Sequence, residues 1–374
     1  MSFAMPDGVN TMRSKLSPAA AHNDKHASDT AVLLINLGTP DSPSPRDVRR
    51  YLAEFLSDPR VVELPAWLWQ PVLHGLVLPF RSRSSARKYE SVWMSAGSPL
   101  KVHTEQQARD LQSWFDERGK PIMVDYAMRY GNPSIAAAIT RLRANGVKRI
   151  LIMPMYPQYA ASTTATAFDK IAAALRKIRN QPALRFVNHY HADARYIDAL
   201  RRQVQRYWDI HGRPDFAAGD QVLFSFHGLP LRTAELGDPY YTQCLRTGSL
   251  LADALGLGPE QYRVTFQSRF GYQKWLEPGT AETLAELGYQ QTSRVDVFCP
   301  GFTADCIETI EEIGIEGRDT FLEFGGTAFH RIDCLNEAPA FIDMLGEMAL
   351  ENLGGWPGTA REPRGGEAGR FALT

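Results

Sequence analysis

QVLFSFHGLP, residues 221–230, decides the fold. A short, nearly continuous apolar run ends in a histidine, a glycine and a proline, which reads as a strand buried on both faces and closed by a tight turn. AVLLINLGTP at 31–40 reads the same way, and its Gly38 and Pro40 match Gly228 and Pro230 at an offset of 190. RILIMPMY at 149–156 and RVDVFCP at 294–300 carry a second matched pair. There, Pro157-Gln158-Tyr159-Ala160-Ala161 is similar to Pro300-Gly301-Phe302-Thr303-Ala304, and Thr166 matches Thr309, at an offset of 143. Helix-like periodicity near 105–118, 134–145, 168–179, 195–208, 248–255 and 280–287 falls between these strands. The pattern predicts an α/β chain of two Rossmann-like halves with parallel sheets, related by internal duplication.

The two offsets differ, so the first half carries about 47 additional residues, and their natural place is about 60–100. The expected organisation is a flexible extension over 1–29, a first half over 30–185 that includes this insertion, and a second half over 186–353. The remaining stretch, 354–374, reads GGWPGTAREPRGGEAGRFALT and is expected to be a disordered tail, because so much glycine and proline buries too little apolar area to offset chain entropy.

Composition narrows the function classes. Of 374 residues, 44% are hydrophobic and 22% charged, which is ample for a packed core. Lys plus Arg number 41 against 42 for Asp plus Glu, so no global field attracts nucleic acid. Cys244, Cys299, Cys306 and Cys334 contain no Cys-x-x-Cys pair, which fits neither a zinc ribbon nor a disulfide framework and indicates a reducing, cytoplasmic compartment. No apolar run reaches the ~18–20 residues of a membrane span, and residues 1–29 lack the apolar stretch of a signal peptide.

Ligands of open α/β sheets bind at the carboxyl ends of the strands, which puts the chemistry on the four loops already named. His227 stands at such an end, where an imidazole serves as a general base or a metal ligand. In PGFTADCIETIEEIGIE, 300–316, Asp305, Glu308, Glu312 and Glu316 are spaced by three, four and four, which shares one helix face. A solvated acidic face near a helix N-terminus is the alternative. A buried column of carboxylates is a path for protons or divalent cations. One imidazole opposite one carboxylate, with Cys306 the sole further candidate nearby, makes an open site for a borderline ion such as Fe(II), suited to passing it on.

LLINLGTPDSP, MPMYPQYAASTT, FSFHGLP, GDPY and above all PGFTADCIETIEEI resemble the ferrochelatase family, over about Ala31 to Leu353. The resemblance implies a chelatase-like fold around a porphyrin cleft and insertion of Fe(2+) into protoporphyrin IX, the last step of haem synthesis, with release of two protons. Ferrous iron is then a substrate, and no permanently bound cofactor is implied. His227 and Glu308 match the family's catalytic and metal-binding pair, with Glu312, Glu316 and Asp305 along the metal path. The sequence leaves open which of the pair takes protons and which escorts iron. Leu37, Arg129, Tyr130, Tyr159 and Trp275 match residues lining the macrocycle, and Arg81, Tyr89 and Ser98 match propionate contacts. A coproporphyrin ferrochelatase, a cobalt chelatase of a sister family and a non-catalytic haem or porphyrin carrier are the rival readings.

Three departures from the family pattern stand out. Ala161 takes a position where some relatives place a cluster cysteine, and no cysteine follows Cys334, so no iron–sulfur cluster is expected. Asp41 stands where some relatives carry a tyrosine, and Cys306 where the family often has a histidine. WLWQPVLHGLVLPF, 67–80, resembles the family's lip over the cleft, and Arg81, Arg83, Arg87 and Lys88 follow it. Residues 67–88 are therefore expected to cover the macrocycle, meet anionic propionates or lipid headgroups, and rest peripherally on the inner face of the membrane.

Overall fold

The computed structural model describes residues 28–269 and 273–356; most of the extension expected over 1–29, and most of the tail expected over 354–374, lie outside the described residues. Among the described residues, eight strands form two sheets. The first contains β1 (Thr30–Thr39), β2 (Met123–Gly131), β3 (Arg149–Pro154) and β4 (Ala183–Phe186) in the order β2-β1-β3-β4. The second contains β5 (Gln221–His227), β6 (Tyr262–Gln267), β7 (Arg294–Phe298) and β8 (Ala328–Ile332) in the order β6-β5-β7-β8. Every pairing is parallel, and the two halves share one topology, as duplication requires.

Side-chain alternation explains why the central strands read as continuous apolar runs. Val32 and Leu34 of β1 and Val222, Phe224 and Phe226 of β5 enter one core shared by both halves. Ala31, Leu33 and Ile35 face outward beneath Ile135, Ile139 and Ile171, while Leu223 packs with Leu284 and Val295. With helices on both faces, each fully buried Leu, Ile or Phe is worth about 1.5–3 kcal/mol, and the buried polar Ser225 inside β5 is satisfied by a hydrogen bond to Gln267.

The additional residues of the first half lie between β1 and β2. Helix Ala66–Val72, a π-helical turn Leu73–Val77 and helix Leu78–Val92 pack a small core of Leu73, Leu78, Ala86 and Tyr89 against Val48, Tyr51, Leu52 and Tyr130. Helix Pro339–Leu353, numbered with the second half, returns to the first. It lies on helix Pro99–Glu117, where Trp114 Nε1 donates to Asp343 at 2.8 Å and a Cβ on Gly346 would come within 2.5 Å of the Trp114 ring.

The packed chain also runs slightly past both expected ends. Asp29 pairs with Arg149, and its carbonyl accepts the backbone N–H groups of Lys148 and Arg149. Arg185 donates to the Gly354 carbonyl at 2.9 Å and lies 4.4 Å over the Trp356 ring. Among the described residues no helix is long and apolar enough to cross a membrane.

Candidate active site

His227 is the last residue of β5 and is half-buried. Its Nδ1 lies 2.7 Å from the Gly228 carbonyl. A carbonyl only accepts, so Nδ1 carries the proton and the Nε2 lone pair is left for the site. A Cβ on Gly228 would stand 2.5 Å from the Gln267 carbonyl oxygen and 3.4 Å from the Trp275 ring, so the turn after β5 needs glycine. Trp275 is buried and bridges to Pro230, which seats the indole beside the His227 turn.

The acidic motif opens a π-helix, Glu308–Gly317, and not an α-helix. Its i→i+5 winding keeps residues four apart near one face, so Glu308, Glu312 and Glu316 remain in one column. Asp305 does not join them: it precedes the helix and is occupied by Thr309 Oγ1 at 2.7 Å, Arg331 Nη1 at 2.8 Å and Asn336 Nδ2 at 2.8 Å. Glu308 heads the column, and its carbonyl accepts from Gln267 Nε2 at 2.8 Å. Glu312 follows, with its two carboxylate oxygens accepting from the Ser268 backbone N–H and from Ser268 Oγ, each at 2.6 Å. Glu316, at the exposed end, accepts from Lys88 Nζ at 2.6 Å, and the buried Glu311 accepts from the same ammonium at 3.0 Å.

Charge ties these groups together. Burial raises Glu312 above the usual carboxylate range; the Ser268 donors and the nearby His227 oppose this, and the charge of Glu308 adds to it. Tyr89 is pushed far up, first by burial and then by Glu308, and burial followed by Tyr89 and Glu308 does the same to Tyr51. Burial also pushes up the Cys306 thiol, again with Glu308 beside it. The column thus starts in an apolar, aromatic wall and ends at solvent.

The family model for ferrochelatase matches residues 29–353, most of the chain. The chain belongs to the ferrochelatase family. It is accordingly a metal chelatase whose substrates are a tetrapyrrole and a metal ion. Among solved structures, it is similar to CbiX, the terminal enzyme of sirohaem biosynthesis in denitrifying bacteria, with 14% identity, 85% of this chain and 97% of that one covered, and a TM-score of 0.47. It is also similar to SirB from Bacillus subtilis with Fe3+, with 12% identity, 87% and 96% covered, and a TM-score of 0.49.

The other positions matched to ferrochelatase substrate contacts divide into two sets. Leu37 packs in the cluster that holds Tyr51, Tyr89 and Ile307, directly before Glu308, and also touches the group around Cys306. Arg81 is exposed, yet desolvation holds its guanidinium below the usual range, and the Tyr89 phenol lies close enough to oppose this. Tyr159 is half-buried, with its N–H bound to Gln243 Oε1 at 2.7 Å.

Arg129, Tyr130 and Ser98, in contrast, are buried and committed elsewhere. Arg129 Nε donates to Thr166 Oγ1 at 2.7 Å, its Nη2 donates to Asp58, and its guanidinium lies 4.2 Å over the Tyr130 ring. The Tyr130 hydroxyl donates to Asp58 at 2.9 Å, and Ser98 Oγ accepts from Thr39 at 2.8 Å. Tyr130 packs in the cluster that holds Leu37 and Tyr51, and all three side chains are hydrogen-bonded within the protein. Lys88, expected to meet propionates or lipid, is turned to Glu311 and Glu316 instead. Glu311, Gln267 and Ser268 were not legible in the sequence, since none carries a spacing that marks it. The four cysteines are free and buried, and among the described residues no group of three or more His, Cys, Asp and Glu side chains is arranged to hold a metal ion.

Proposed function

We propose that the chain inserts ferrous iron into protoporphyrin IX, releasing two protons and forming protohaem. The observation that carries this reading is the His227 tautomer: with Nδ1–H spent on Gly228, Nε2 is a base beside the Glu308–Glu312 column. The macrocycle lies between the two. Nε2 accepts the two pyrrole N–H protons in turn from one face, passing the first to solvent before it takes the second, and Glu308 hands Fe(2+) to the pyrrole nitrogens from the other. Two protons leave as one dication binds, so the charge of the macrocycle site is unchanged. Glu316 and Glu312 supply iron to Glu308, and the bound Ser268 donors keep Glu312 in place during transfer.

Arg81 meets a propionate at the rim, and Leu37, Tyr159 and Trp275 supply apolar contact. The inserted helices cover the cleft and rest peripherally on a membrane surface, since Trp67 and Phe80 are each 76% exposed and Arg83 and Arg87 are exposed beside them. The test is anaerobic absorption spectroscopy of the purified protein with Fe(2+) and, separately, protoporphyrin IX, coproporphyrin and a sirohydrochlorin. Fastest conversion of protoporphyrin IX to its iron spectrum is expected; preference for either other tetrapyrrole replaces the substrate assignment.

A further inference from the structure

Strand β6 ends at Gln267, and contacts from both sides of the site converge on it and on the next residue, Ser268. The Gln267 carbonyl accepts the Gly228 N–H at 2.7 Å, which fixes the turn that carries His227. Its side-chain amide donates to the Glu308 carbonyl at 2.8 Å, which fixes where the π-helix begins. The amide orientation is set from beneath: Ser225 Oγ donates to Gln267 Oε1 at 2.8 Å, and Thr280 Oγ1 lies 2.8 Å from Ser225 in turn. With Oε1 engaged by a donor, only Nε2 is left to face the Glu308 carbonyl.

Ser268 adopts a positive φ of 65°, a region that few non-glycine residues enter. That turn brings its N–H and its hydroxyl onto opposite oxygens of Glu312, each at 2.6 Å. Glycine would reach the same conformation without strain but would supply one donor where serine supplies two. Unusual backbone held by specific bonds is what a site builds when one group must not move.

We infer that Gln267 and Ser268 are positioning residues for metal insertion: Gln267 sets Glu308 against His227, and Ser268 holds the Glu312 carboxylate in the orientation that receives the metal ion. The inference rests on the metal-insertion reading above and adds what determines its geometry. Neither residue touches the macrocycle or the iron, so porphyrin affinity is independent of both.

Three variants test it: Gln267→Met, which keeps size and removes the donor; Ser268→Gly, which keeps the backbone bond and removes the hydroxyl; and Ser268→Asn, which tolerates a positive φ and restores a donor. Measured for each are kcat, KM for Fe(2+), porphyrin affinity by fluorescence quenching without metal, and thermal midpoint. Gln267→Met lowers kcat by about 10- to 100-fold with porphyrin affinity unchanged, and Ser268→Gly raises KM for iron by about tenfold. Ser268→Asn recovers most of that loss. Wild-type kinetics in Gln267→Met and Ser268→Gly, or activity falling only in step with thermal midpoint, overturns the inference. A wild-type protein that metallates no porphyrin defeats the underlying reading, while zinc affinity by calorimetry without porphyrin still decides Ser268. A fall of about tenfold in Ser268→Gly supports its role, and equal affinity removes it.

Discussion

Lys88 Nζ lies 2.6 Å from Glu316 Oε1, and this contact joins the inserted helices of the first half to the π-helix of the second. The same ammonium pairs with the buried Glu311, so a fixed cation sits at the outer end of the path proposed for iron. Lys88→Met removes that competitor. KM for Fe(2+) is expected to fall, and stability to drop by more than the ~1 kcal/mol of an exposed pair, because the buried Glu311 loses its counter-charge. A raised KM would instead mark Lys88 as part of the delivery path.

Asp58 anchors Arg129 and Tyr130. Burial pushes its pKa up, but the Thr166 hydroxyl, the Arg60 N–H, the Arg129 guanidinium and the Tyr130 hydroxyl together hold it below the ordinary carboxylate value. A group depressed in the folded state stabilises above its unfolded pKa, near 3.9, and loses that contribution as pH falls through the folded value. Asp58→Asn leaves the buried Arg129 without its counter-charge and is expected to cost about 3–5 kcal/mol at pH 7. Urea unfolding at pH 7 and pH 3 checks this: the gap between wild type and variant narrows at pH 3.

Gly228→Ala introduces a Cβ 2.5 Å from the Gln267 carbonyl oxygen, a backbone atom that cannot move aside alone. The β5–β6 end must open, and His227 moves with it. Metallation is expected to fall by about 100-fold, with the circular dichroism spectrum retained, since ångström displacements of a reacting group cost that much. A variant with normal turnover would show that the position of His227 is not critical.

The fold was legible where burial is two-sided. β1 and β5 bury both alternating sets of side chains, so their apolar runs stand out and end where the chemistry begins. β4 and β8, five residues or fewer at sheet edges and largely half-buried, carry no such run. The return of helix Pro339–Leu353 to the first half left no trace, because its amphipathic pattern says what is buried and not against which partner.

The site was legible in part for a related reason. His227 and the Glu308–Glu312–Glu316 spacing are local patterns, and a step of four suits a π-helix as well as an α-helix. Asp305 looked like a member of the column because Arg331 and Asn336, which occupy it, come from a later segment of the chain. Lys88 meets Glu311 across 223 residues, and the positive φ of Ser268 has no signature in a serine side chain.

The exposed apolar rim makes a separate prediction. Trp67→Ser combined with Phe80→Ser removes the two most exposed aromatic rings of the inserted helices. Sedimentation with vesicles of mixed anionic and zwitterionic lipid is expected to fall sharply, while metallation of a detergent-solubilised porphyrin persists. Equal sedimentation of variant and wild type would remove the membrane contact from the account.

The central claim is that the free Nε2 of His227 accepts the pyrrole protons while the Glu308 column delivers the metal. The most direct measurement is the single-turnover rate of Fe(2+) insertion into protoporphyrin IX, followed anaerobically by absorption, in wild type and His227→Ala with porphyrin binding verified in both. The account predicts bound porphyrin and a loss of about 100-fold or more in rate for the variant. A His227→Ala protein that metallates bound porphyrin at the wild-type rate would contradict it.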